Sequence, residues 1–101
     1  MIEKFNVEFM KPYLNTKFRI VVEGFDPLEL ELINIKEKNQ PGLESFSLIF
    51  KGPLDRVAHD NTYPIEHDQI GKFDMFVGPF FTPTKKDAIY YQAVFSRLKE
   101  E

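Results

Sequence analysis

The chain has 101 residues, thirteen Lys plus Arg against sixteen Asp plus Glu for a formal net charge of −3, four Tyr, eleven Phe and no Cys or Trp. That length supports a single domain over residues 1–101, with a core large enough to fold without metals or disulfides. The acidic balance argues against a nucleic-acid partner, the missing thiols exclude a disulfide framework and a cysteine nucleophile, and the absence of a long apolar run argues against a membrane span, leaving a soluble cytoplasmic protein without a cofactor as the expectation.

Three Ala against eleven Phe and fourteen Ile plus Val favour pleated, half-buried surfaces over helices. Phe9 to Leu14 holds Pro12 in a short apolar cluster and reads as one helical turn or a plug. Lys17 to Val22 is the first strand, with Phe18, Ile20 and Val22 on one face. After turn chemistry at Gly24, Asp26 and Pro27, Leu28 to Lys38 reads LELELINIKEK. There Leu28, Leu30 and Leu32 alternate with Glu29 and Glu31, and the phase slips as Ile33 and Ile35 continue one residue out of step. The slip predicts a β-bulge between Leu32 and Asn34, and with it a curled sheet.

Asn39 to Gly42 is a turn, and Glu44 to Lys51 a strand with Phe46, Leu48 and Phe50 inward, stopped by Gly52-Pro53. Residues 54–61 form a connection closing on Asp60-Asn61, a pair suited to positive φ at Asn61. Tyr63, Ile65 and His67 share one face of a short strand whose Pro64 cannot donate to a ladder, which predicts an edge strand. Lys72 to Val77 follows a turn at Asp68 to Gly71, and Ala88 to Leu98 is the last strand. Six strands at this spacing predict a mainly all-β domain, an antiparallel sandwich or small barrel with a helical turn near the N-terminus.

The segments YLNTKFRI (Tyr13 to Ile20), FSLIFKGP (Phe46 to Pro53), NTYPIEHDQIG (Asn61 to Gly71) and YQAVFSRL (Tyr91 to Leu98) together resemble a family of small uncharacterised bacterial domains, a domain of unknown function. The resemblance runs from about residue 9 onward and implies no catalytic residues. It does imply a structural role, because some relatives are encoded near phage-tail-like genes. Where relatives carry Gln-Gly before Thr-Tyr, this chain has Asp60-Asn61. The stretch from Gly78 to Ala88 is also longer and more aromatic than the family pattern.

Polar chemistry concentrates at His59, Asp60, His67 and Asp68. Imidazole and carboxylate are sound metal donors, yet an extended strand would hold His59 and His67 roughly 25 Å apart at about 3.3 Å per residue. Turn and edge roles are therefore expected of them rather than metal binding. His67 follows the phase of Tyr63 and Ile65, so it points inward as a structural histidine bonded to a backbone carbonyl or a Tyr hydroxyl. Its rival role is as part of a polar site with Tyr63, in a ligand-binding barrel or an enzyme.

Apolar residues on the outer faces of strands are the stronger signal. Ile49, Phe76, Tyr90 and Val94 fall opposite the core-facing series and form one patch if their strands are neighbours, unless other chain covers them. In GPFFTPTKKD (Gly78 to Asp87), two consecutive Phe cannot both enter a core, so Phe80 or Phe81 is expected at the surface of an aromatic docking loop. The expected function is a non-enzymatic protein-binding or assembly module that self-associates or docks on a larger protein through these residues.

Overall fold

The computed structural model describes residues 6–80 and 86–98. Its sheet is a closed antiparallel barrel in the order β1-β2-β3-β6-β5-β4. The strands are β1 (Lys17–Ile20), β2 (Leu28–Gln40), β3 (Leu43–Gly52), β4 (Asn61–His67), β5 (Gly71–Phe80) and β6 (Ile89–Leu98). A short helix α1 (Val7–Met10) runs into a 3-10 turn at Lys11–Tyr13 and sends Met10 into the core. Asn6 caps α1 by accepting the Phe9 N–H at 2.8 Å.

The architecture follows from the alternation read in the sequence. Phe18, Leu30, Leu32, Leu48, Phe50, Val77 and Tyr91 project inward and are fully enclosed. Burying side chains of this size contributes roughly 1.5–3 kcal/mol each, before the entropy of ordering them is subtracted. Phe18 is central, with its ring edge-on to Phe50 at 5.3 Å and to Phe73 at 6.4 Å. The predicted bulge is present, since the β2–β3 register shifts between Leu32 and Asn34. Leu32 pairs with Phe50 and Ile35 with Leu48, so the bulge at Ile33 returns Ile35 to the inner face, where it packs against the core.

Two expectations are corrected. β4 is not an edge strand, because it pairs with β5 along its length and with β1 at the closing seam. The Pro64 carbonyl accepts the Val21 N–H at 3.0 Å, so the side of Pro64 that lacks an N–H faces the brief β1 contact and leaves the β5 ladder intact. Positive φ falls at Asn15 (69°) rather than at Asn61, which opens β4 in extended backbone and accepts the Thr62 N–H on its own side chain. Asn15 turns the chain from the plug into β1, and its N–H donates to the Leu32 carbonyl at 2.7 Å.

Strand direction sorts the connections to two ends. The plug and the β2–β3 and β4–β5 turns lie at one end, and residues 21–27 and 53–60 connect strands at the other, where β5 also ends at Phe80 and β6 begins at Ile89. At the latter end, Gly52 is a close-approach position, since a Cβ there would meet Leu30 Cδ2 at 2.8 Å and Tyr91 Cε1 at 2.9 Å. The Tyr91 ring thus lies across the end of β3, and its hydroxyl accepts the Ala58 N–H at 3.0 Å. Gly52→Ala should destabilise the fold by about 1–3 kcal/mol by overpacking two enclosed side chains. Tyr91→Phe should cost about 1–3 kcal/mol by leaving the Ala58 N–H without its buried acceptor. Urea denaturation of both variants measures these losses.

Candidate functional site

His67 ends β4 beside the plug and is buried. Its Nδ1 accepts N–H bonds from Gln69 at 3.0 Å and Ile70 at 3.2 Å, which ties the β4–β5 turn back onto the ring. With Nδ1 an acceptor, the proton of the neutral ring sits on Nε2 and is donated to the Thr16 hydroxyl at 2.8 Å. Thr16 in turn donates to the Tyr13 carbonyl at 2.6 Å. The ring is also packed by Phe18 at 4.5 Å and edge-on by Tyr13 at 5.0 Å. His67 is inward as expected, but its partners are a Thr hydroxyl and two backbone amides rather than a carbonyl or a Tyr hydroxyl.

Burial lowers the His67 pKa from its ordinary value, Asp68 opposes that shift, and Arg19 adds to it. Protonating Nδ1 would also give up both turn N–H bonds. Tyr63, the other half of the expected polar site, donates its hydroxyl to the His59 carbonyl at 2.5 Å. His59 therefore belongs to the opposite end of β4 from His67. Among the described residues, no group of three or more His, Asp or Glu is placed to hold a metal ion.

The outer-face residues separate into two sets. Ile49 and Tyr90 are only 7% and 6% exposed, whereas Phe76 and Val94 are each 60% exposed. The single patch expected from the strand phase is thus broken, because Ile49 and Tyr90 are buried on the outside of the sheet. Tyr90 pairs with Lys51 and Phe80 in adjacent strands, and its ring lies 6.4 Å from that of the half-buried Phe80. Its hydroxyl donates to Asp87 at 3.1 Å, and Asp87 also holds Lys51 at 3.4 Å. Burial, then the bond to Asp87, raises the Tyr90 hydroxyl above its ordinary pKa, and the same bond lowers the Asp87 carboxyl. Phe80 is the last residue of β5 rather than a loop residue, and Phe81 lies outside the described residues.

Three exposed apolar side chains escaped the phase reading: Phe25 at 70%, Leu54 at 61% and Val57 at 47%. They sit on residues 21–27 and 53–60 at one end of the barrel, where no strand period reaches. Arg56 joins those two connections, donating to the Asp26 carbonyl at 2.7 Å and the Pro27 carbonyl at 3.3 Å. A signal was available in composition, since turn segments bearing Phe, Leu and Val are not simply solvated.

A plugged, closed six-stranded antiparallel barrel with apolar side chains on one end and one flank defines the class of domain. The chain belongs to DUF6916, a domain of unknown function, whose family model matches residues 5–95. No curated protein and no solved structure matches it in the comparisons made. No helix among the described residues is long and apolar enough to cross a membrane.

His67 should titrate below its ordinary value by NMR. Because its folded pKa is below the unfolded value, its contribution to stability is complete above about pH 6.5 and is lost as pH falls from there through the folded pKa. His67→Gln should remove that segment of the stability profile. Thr16→Val should cost about 1–3 kcal/mol at neutral pH by stranding the His67 Nε2–H, while the Tyr13 carbonyl keeps the Thr16 backbone N–H. Thermal melts across the pH range measure both effects.

Proposed function

We propose that this domain is a non-enzymatic protein-binding or assembly module, such as a small structural component of a phage-tail-like assembly. The observation that carries the reading is where the unusual groups lie. The polar groups suited to chemistry, on His67 and Tyr63, are committed to closing turns and connections. The groups without an internal role are apolar and exposed: Phe25, Leu54 and Val57 at one end, Phe76 and Val94 on the flank. Exposed large apolar side chains in groups are the usual mark of a surface that is covered in use.

A rigid barrel suits such a role because it holds its docking residues at little ordering cost. The rival reading, a ligand-binding or catalytic site at Tyr63 and His67, has less support because both His67 ring nitrogens are used internally, the Tyr63 proton is given to the His59 carbonyl, and the two side chains stand toward opposite ends of β4.

A photo-crosslinking residue placed at Phe25, Phe76 or Val94, with exposed Glu8 as control, tests the reading in cells of the source organism. A discrete protein adduct at one or more apolar positions and none at Glu8 is expected. Absence of adducts at all three, or turnover of a small molecule abolished by His67→Gln in a folded variant, overturns it.

A further inference from the structure

We infer that the loop end of the barrel is a docking site for a basic, apolar-anchored peptide segment of a protein partner. The inference rests on the binding-module reading and names its surface and the chemistry of its occupant. Charge distribution decides the occupant. Along the strands seven Lys or Arg and six Asp or Glu are interspersed, and four ion pairs form on or beside them, Lys17–Glu31, Arg19–Asp68, Lys72–Glu66 and Lys51–Asp87.

The two connections at the loop end differ. Residues 21–27 and 53–60 carry four exposed carboxylates, Glu23, Asp26, Asp55 and Asp60, and none of these has an ion-pair partner among the described residues. Their one cation, Arg56, is turned onto the Asp26 and Pro27 carbonyls. Four carboxylates against one guanidinium leave an excess of three negative charges, equal to the formal charge of the whole chain. Between β5 and β6 the sequence adds Lys85, Lys86 and Asp87, the last held by Lys51 and Tyr90, so five carboxylates against three cations leave the three connections together at −2.

Asp26 adjoins Phe25 and Asp55 adjoins Leu54 in sequence, Glu23 and Asp60 lie two and three residues from Phe25 and Val57, and Arg56 fastens one connection to the other. A partner must therefore supply apolar side chains for the three exposed residues and positive charge for the rim. An anionic membrane surface or a nucleic acid would be repelled by the same rim. A segment alternating Leu or Phe with Lys or Arg meets both requirements. Rim charge of this kind acts mainly on association rate and selectivity, while the apolar anchors set residence time.

Fluorescence anisotropy of the full chain with two labelled peptides of equal length, one alternating Leu and Lys and one alternating Leu and Glu, tests this. The Leu–Lys peptide should bind at least about tenfold more tightly at low salt. Phe25→Ser with Leu54→Ser should weaken it about tenfold or more, and Asp55→Lys with Glu23→Lys should erase the preference. Phe76→Ser with Val94→Ser, and Asp68→Asn, should leave binding unchanged. Equal affinity for the two peptides, no binding of either, or loss of binding only in the Phe76/Val94 variant overturns the inference. The cross-linking map separates the two levels: adducts at Phe76 or Val94 without one at Phe25 sink this site and leave the module standing, whereas no adducts anywhere sink both. Circular dichroism melts of each variant confirm that it is folded.

Discussion

The barrel depends on its narrowest seam. β1 has four residues and meets β4 through only two pairs, Arg19 with Glu66 and Ile20 with Ile65. Every other join that closes the sheet could form without this one, but the result would be an open curled sheet with Phe18 and Ile65 at its margins. Three bonds between chain segments about fifty residues apart reinforce the seam: Thr16 to His67 at 2.8 Å, Arg19 to Asp68 at 2.8 Å, and Val21 N–H to the Pro64 carbonyl at 3.0 Å. The Arg19–Asp68 pair is partly exposed and adds little by itself. His67 matters more, because one buried ring joins the plug, β1 and the β4–β5 turn, and its orientation is determined on both nitrogens.

This explains why a histidine occupies a position that a larger hydrophobe would otherwise fill. Any apolar side chain there would leave the Gln69 and Ile70 N–H groups without their acceptor and the Thr16 hydroxyl without a donor. The imidazole satisfies all three while presenting flat apolar faces to Phe18 and Tyr13. Its neutral form is what the pattern needs. Catalytic chemistry at this ring would therefore disturb the closure of the fold.

Much of the architecture was legible because strand periodicity is a strong signal. The slip in LELELINIK located the bulge, and the phase of Phe46, Leu48 and Phe50 located the inner face. The misreadings have specific physical causes. Pro64 forbids one donor on one side of a strand, and periodicity does not say which neighbour lies on that side or how far it extends. Asn15 and Asn61 are both plausible left-handed residues, and only the path from the plug into β1 selects the first. Ile49 and Tyr90 face outward as their phase requires, but facing outward is not the same as being exposed, and cover is a tertiary property.

The same distinction governs the functional surface. Phase analysis can find apolar residues only where a strand sets an expectation to violate, which is how Phe76 and Val94 stood out. Phe25, Leu54 and Val57 lie on connections, where no inner face is defined, so their exposure becomes informative only after Arg56 is seen to hold the two connections together. With those loops fastened to each other and to Tyr91 through Ala58, the apolar end is part of the rigid barrel. A loop surface preorganised in this way loses little entropy when covered, and the carboxylates around it determine which sign of charge its cover must bring.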